Sequence, residues 1–310
     1  MRKTLIALLA LLPLCALAVR PGQPSTTAAA VCGYRGIAAQ HPDPKLRNPD
    51  YLAQKLCNPA VNLPSDYAGA RQIIDSAGPV YAVYFMINAR THWIDAALRR
   101  ALAEGATQVV VLGAGYDSRA YRFHQAYPQV RFFEVDLPAT SELKRKRLAE
   151  MFGAVPEYVR YAPIDFDAQK LEDVLPPLGY DPKQKTFFIL EGVTMYVVPE
   201  GVGATLNFVR MNSAPGSRLV YDYLLRPVIE RKFRGYWGAD HISFVVERAG
   251  EPFVTGWTPR EAAAFAKRHG LAVVEDIGER ELLKRHMTGS DGKPDGRLFN
   301  WQRMIEVKVP

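Results

Sequence analysis

The chain has 310 residues, 48% of them hydrophobic and 23% charged, which is ordinary globular composition with ample material for a sizeable core. No repeat of 20–50 residues is visible, which sets solenoids and propellers aside. The net charge of +7 is mild, and the densest basic run, "KRKR" at Lys144–Arg147, has no aromatic stacking platform interleaved with it, so no nucleic-acid partner is expected.

Residues 1–18 read as a signal peptide. "MRKTLIALLALLPLCALA" sets Arg2 and Lys3 before an apolar run from Leu5 and ends in Ala16-Leu17-Ala18, an A-x-A cleavage pattern. The run is short for a transmembrane span, and Leu14 before Cys15 does not match a lipoprotein site. Cleavage after Ala18 would export the chain to a periplasm or the medium, with no stable membrane insertion. An uncleaved or misassigned start leaves it cytoplasmic. Cleavage removes Arg2 and Lys3, leaving 37 basic against 32 acidic residues, a net charge of +5. Cys32 and Cys57 then remain. They either pair in an oxidising compartment, stapling the N-terminal segment, or stay as two thiols; their spacing suits no zinc motif, and no metal is expected.

Residues 19–65 form an irregular arm. The prolines of "HPDPKLRNPD" (His41–Asp50) break any helix, so short helices are expected only at Thr27–Ala38 and Asp50–Cys57. Residues 66–310 form the main domain. Val80–Ala103 is helical in pattern, with Trp93, Ile94, Ala97, Leu98, Ala101 and Leu102 on one face. Strands and helices then alternate. Gln108–Leu112 ("QVVVL") is the kind of strand that a parallel sheet buries on both faces. Further strands are expected at Val130–Asp136, Tyr158–Asp165, Lys185–Gly192, Ser217–Leu224, Leu271–Gly278 and Trp301–Val309. Helices are expected at Asp117–Tyr127, from Pro138, from Pro199, and at Thr258–Gly270, the last with Thr258 as cap and Pro259 in its first position. This alternation implies right-handed crossovers and a doubly wound α/β sheet, whose ligands sit at the carboxyl ends of the strands.

That rule converts the strand list into a site. The first strand ends in Gly113-Ala114-Gly115, a turn that lets a ligand approach the backbone. The second ends with Glu134 and Asp136, either of which can accept from ribose hydroxyls. The third ends with Asp165 and Phe166, an acid and an aromatic suited to an adenine, and the fourth with Glu191-Gly192. An acidic cluster with Arg90 and Arg119 as counterweights suits a cationic ligand that carries a ribose, S-adenosylmethionine. The rival is a nicotinamide dinucleotide. Against it, Ser118 stands where the third fingerprint glycine would be, and Asp117 sits where a pyrophosphate wants free N–H groups.

The segments "NARTHWIDAAL", "VVVLGAGYDSRAYRF", "FFEVDLPATSELKRKRL", "FFILEGVTMYV" and "GEPFVTGWTP" together resemble the leucine carboxyl methyltransferase-like family of class I S-adenosylmethionine-dependent methyltransferases, most closely its bacterial branch. The resemblance runs from about Thr26 to the C-terminus. It implies a mostly parallel, seven-stranded Rossmann-like sheet with an antiparallel C-terminal strand. It implies that Arg90 holds the cofactor carboxylate, that Gly113 opens the cofactor turn and that Asp136 binds the ribose. It also puts Asp165 and Phe166 around the adenine (Phe where the family has Leu), and Glu191 near the methionine end. Arg35 is the nearest match to a basic residue of the arm that touches the cofactor in some members.

The implied reaction is direct methyl transfer to an oxygen, a carboxylate of a small molecule or peptide. A carboxylate is already ionised at neutral pH, so alignment and exclusion of water suffice. Tyr196, Tyr221, Tyr223 and His241 either line the acceptor pocket or pack in the core. Asp117 and Ser118 are expected to cap the following helix, and Arg119 to pair with a carboxylate. Two alternatives stand beside this reading, an NAD(P)-dependent oxidoreductase and a non-catalytic exported relative of the methyltransferase fold.

Overall fold

The computed structural model describes residues 24–57, 62–164, 169–248 and 250–310. Asp165 and Phe166, like the 1–18 leader, lie outside the described residues. The arm supplies helices α1 (Thr26–Ala38) and α2 (Ala53–Cys57), followed by α3 (Tyr67–Ser76), a short 3-10 turn at Gly78–Tyr81, and the long α4 (Val83–Ala103). The sheet comprises β1 (Gln108–Leu112), β2 (Arg131–Asp136), β3 (Val159–Pro163), β4 (Thr186–Leu190), β5 (Arg218–Leu224), β6 (Ala272–Ile277) and β7 (Gln302–Lys308). Between the strands run α5 (Arg119–His124), α6 (Pro138–Phe152), α7 (Leu171–Val174), α8 (Pro199–Met211), α9 (Arg226–Ile229), α10 (Ala239–Arg248), α11 (Pro259–Arg268) and α12 (Glu279–His286).

The strand order is β3-β2-β1-β4-β5-β7-β6. The first five of these pair in parallel, and β7 inserts antiparallel between β5 and β6, as the resemblance implies. All five positions of β1 are buried. Their alternation divides them between two cores: Val109 and Val111 face the layer containing α1 and α4, whereas Val110 and Leu112 face the layer containing α8 and α11. The chain reverses direction across the sheet between β1 and β4, so the crevice at their carboxyl ends is the switch point of the fold.

Local signals account for several helix starts, by side-chain caps at Ser25, Asp66 and Thr258 and by prolines in the first turn of α6, α8, α9 and α11. Thr258 and Glu261 form a reciprocal capping box on α11. Ser118 departs from expectation. It occupies the N-cap of α5 but makes no side-chain cap; its hydroxyl donates to Asp50 and accepts from Arg122 Nε at 2.8 Å. Capping falls to Asp117, whose Oδ1 accepts from Arg119 N at 2.7 Å. The second arm helix starts at Ala53 rather than Asp50, because Asp50 turns inward to Arg35 at 2.8 Å. The "KRKR" run also has internal partners. Lys144 Nζ is buried 2.7 Å from Glu134, and Arg145 and Arg147 lie over Tyr161 and Tyr116.

Cys32 in α1 and Cys57 at the end of α2 are joined in a disulfide, with their Cα atoms 5.9 Å apart. The 25-residue separation makes the bridge worth about 3.5 kcal/mol by loop entropy. The double variant Cys32→Ser/Cys57→Ser, or reductant on the wild type, is therefore expected to lower the urea midpoint by that equivalent. Unchanged unfolding in reductant would show that the arm does not depend on the bridge.

Candidate active site

The site begins at the turn after β1. Gly113 has φ +67°, and a Cβ there would stand 2.8 Å from Val193 Cγ2. Gly115 has φ +46°, and a Cβ there would stand 3.1 Å from the Cβ of Ala28 in α1. Both positions need glycine, the first for its backbone angle and the close loop after β4, the second also so that α1 can lie across the turn. Asp136 at the tip of β2 accepts from the N–H of Gly115 and from Leu137 N at 2.6 Å. Burial raises its pKa, and these two N–H groups with Lys144 only partly offset that. Glu134, two residues earlier, points to the same side of the strand but lies beneath α5 and α6. It meets Lys144, and accepts from the Tyr121 hydroxyl at 2.9 Å. Of the two acids at this strand end, only Asp136 reaches the cleft.

Across the switch point, Glu191 follows β4. It accepts from Arg90 Nε at 2.9 Å and from Arg119 Nη1 at 2.8 Å, with Arg35 Nη1 at 4.0 Å. Burial alone would raise its pKa, but Arg90 and Arg119 outweigh that and hold it down at about 2. Arg90 Nη1 also donates to Asp222 Oδ2 at 2.7 Å. Arg119 Nε donates to Asp95 Oδ1 at 2.7 Å, its Nη1 donates to Asp117, and Arg122 takes both oxygens of Asp95. Arg35 reaches in from α1, donating from Nη2 to Tyr116 O at 2.7 Å. The resulting buried lattice contains four guanidiniums (Arg35, Arg90, Arg119, Arg122) and five carboxylates (Asp50, Asp95, Asp117, Glu191, Asp222).

These elements enclose a cleft of about 520 Å³. Arg90, Gly113, Gly115, Asp136 and Glu191 all line it, as does Arg35. The roof comes from α1, whose Thr27, Ala28, Val31 and Arg35 share one helical face, and from the 250–254 loop, with Thr27 Oγ1 donating to Glu251 at 2.9 Å. Tyr196 also lines the cleft, whereas Tyr221 and Tyr223 do not: Tyr221 packs in the opposite core and the Tyr223 hydroxyl donates to Asp276. Among the described residues there is no cluster that could hold a metal ion and no helix long and apolar enough to cross a membrane.

Asp50, Asp95 and Asp222 were not among the sequence-derived candidates. Asp222 had a signal, an acid in the middle of the strand run "RLVYDYL", of which every residue but Arg218 is buried. Asp50 and Asp95 carried none, since each becomes part of the lattice only through partners far away in the chain.

The family model for "Leucine carboxyl methyltransferase" matches residues 28–210, which span β1 to β4 and every cleft residue named above except Thr27 and those of the 250–254 loop. The chain belongs to the leucine carboxyl methyltransferase family. It is an S-adenosylmethionine-dependent methyltransferase. SCO7813 of Streptomyces coelicolor is 34% identical over 77% of this chain and 82% of its own length. YktD of Bacillus subtilis is 29% identical over 63% of each chain, so this methyltransferase spans under two thirds of that relative. Both bear the name "Putative S-adenosyl-L-methionine-dependent methyltransferase". In fold, the methyltransferase is similar to a DUF574 family protein from Streptomyces avermitilis, with TM-score 0.55, 17% identity, and coverage of 80% of this chain and 91% of that one.

The donor set fits the methyl donor. The backbone of the Gly113–Gly115 turn and the Asp136 carboxylate both line the cleft, and its wall holds four carboxylates (Asp117, Asp136, Glu191, Glu251) against two guanidiniums (Arg35, Arg90), a balance that suits a cationic ligand. The N-terminus of α5, which a dinucleotide's pyrophosphate would need, is already taken by the Asp117 carboxylate.

Proposed function

We propose that the methyltransferase acts on a carboxylate oxygen of a small molecule or peptide. In this reading Asp136 accepts from the ribose hydroxyls, Gly113 and Gly115 admit the nucleoside against the backbone, and Arg90 holds the cofactor carboxylate. Glu191 holds Arg90 and Arg119 in place, Arg35 closes the cleft from α1, and Asp165 with Phe166 meets the adenine. S-adenosylmethionine supplies a methyl group on a positively charged sulfur. The acceptor oxygen forms the new C–O bond as the C–S bond breaks, and the electron pair stays on sulfur. No proton moves, so the chain's residues need only align the acceptor and exclude water.

The observation that supports this reading is the match of residues 28–210, which carry most of the cleft lining, to the leucine carboxyl methyltransferase family, whose name gives a carboxyl group as the acceptor. The test uses S-adenosylmethionine labelled in the methyl group and a panel of carboxylic acids, alcohols and phenols. The expected product releases its label as methanol in mild alkali, as a methyl ester does. A base-stable product would assign the reaction to a different acceptor.

We also propose export through the 1–18 leader, supported by its charge, apolar run and A-x-A end. N-terminal sequencing of the protein from its native host is expected to start at Val19; an intact Met1 would refute export by cleavage.

A further inference from the structure

Beside the cleft lies a second, smaller chamber of about 180 Å³, under α10. Met86, Ile242, Val246, Phe253, Phe299 and Trp301 form much of its wall. Thr27, Val31, Arg90, Gly192 and Tyr196 line both cavities, so the chamber opens onto the cleft beside Arg90 and Glu191. Several of its polar side chains are already committed. Arg90 donates to Glu191 and Asp222, Gln302 Nε2 donates to Asp222 at 2.7 Å, and Thr27 donates to Glu251. His241 differs. It lines the chamber from the first turn of α10, and its Nε2 is buried with no hydrogen-bond partner among the described residues. A buried ring nitrogen without a partner is costly unless something else enters to meet it.

We infer that this chamber holds the methyl acceptor, that the acceptor is a compact, apolar monocarboxylic acid, and that His241 is a positioning residue donating from Nε2 to one carboxylate oxygen while the other faces the methyl donor. The inference rests on the carboxylate reading above and narrows it. Size argues for compactness, because the chamber is smaller than the roughly 300–1,000 Å³ of drug-sized ligand sites. The walls argue for a single charge, because a second carboxylate among Phe299, Trp301 and Val246 would be buried without a partner. His241 lies outside the part of the chain that the family model matches, so the family resemblance assigns it no role.

The test is calorimetry on the full chain saturated with S-adenosylhomocysteine, using phenylacetate, octanoate, phenylacetamide and succinate as probes. Phenylacetate and octanoate are expected to bind at least about 10-fold more tightly than the amide and the dicarboxylate. His241→Phe is expected to weaken the two acids by about 10- to 100-fold while leaving the amide and S-adenosylhomocysteine unchanged, and His241→Gln, which restores an N–H, to recover most of the loss. In turnover the His241→Phe effect should fall on KM more than on kcat. Failure of either acid to bind, equal binding of acid and amide, or full acid affinity in His241→Phe would each overturn the inference. Methyl esters formed equally by wild type and His241→Phe would leave the carboxylate reading intact and remove His241 from it. Selective acid binding that never yields a base-labile ester would keep the chamber's assignment as an acid site and sink the carboxylate reading instead.

Discussion

Asp95→Ala is expected to lower the unfolding free energy by about 3–5 kcal/mol, the usual cost of removing one partner from a buried ion pair. Asp95 is fully buried and accepts from Arg119 Nε at 2.7 Å and from Arg122 at 2.6 and 3.1 Å. Without it two guanidiniums remain buried side by side, and Arg119 loses the contact that aims it at Glu191. Urea unfolding should show a lower midpoint at unchanged slope. A loss under about 1 kcal/mol would mean that Asp117 and Asp50 compensate. The same lattice sets the acid limit of the fold. Burial by itself would raise the Asp95 pKa, but Arg122 and Arg119 hold it well below the ordinary carboxylate range, and Glu191 is held at about 2. A carboxylate depressed on folding stabilises fully above its unfolded pKa, about 4 to 4.5, and that contribution drains away as the pH falls toward the folded value. Acid unfolding is therefore expected to progress between about pH 4.5 and 2.

Asp136→Ala is expected to weaken S-adenosylhomocysteine by about 100-fold, equivalent to about 2.7 kcal/mol, while the far-ultraviolet circular dichroism stays native. The carboxylate does two things at once. It braces the turn through Gly115 and Leu137, and it stands at the mouth of the cleft where a ribose would meet it. Calorimetry on Asp136→Ala and Asp136→Asn decides the matter, and wild-type affinity in both would displace the ribose site from β2. The pH dependence has the opposite sign to that of Asp95. Burial raises Asp136, so its ionised form costs stability, and protonating it does not unfold the chain. Cofactor affinity should thus fall with decreasing pH before the fold does, leaving a window of folded but non-binding protein. Affinity and circular dichroism that fell together would contradict this separation.

Much of the fold was legible because its signals are local. The valine run of β1, the Gly-x-Gly turn, the acids that end β2 and follow β4, and the Thr258-Pro259 cap each declare themselves within a few residues, and each lies within a residue or two of its expected place. The helix after the turn was harder. Asp117–Tyr127 is helical in pattern, yet only Arg119–His124 forms α5, because Asp117 serves as its cap and Ser118 is drawn to Asp50. Neither α10 nor α12 was anticipated, and α10 supplies His241 to the acceptor side. Tyr221, Tyr223 and Tyr196 looked alike as candidates. Packing then sent Tyr221 into the opposite core and Tyr223 to Asp276, and left Tyr196 where the two cavities meet.

By itself the sequence determined the α/β class, the seven strands in chain order, and the loops that would meet at one end of the sheet. Periodicity and turn chemistry are properties of short segments, and the switch-point rule does the rest. Only the tertiary structure decided which charges face the ligand. Glu134 and Asp136 share a face of β2, but one strand repeat, about 6–7 Å, separates a carboxylate sealed against Lys144 from one at the cleft. Arg90 was expected as a counterweight, yet its partners are Glu191, 101 residues away, and Asp222, 132 residues away. Such pairings have no period to read, because they form only when folding brings distant segments together out of water and leaves each buried charge needing an opposite one.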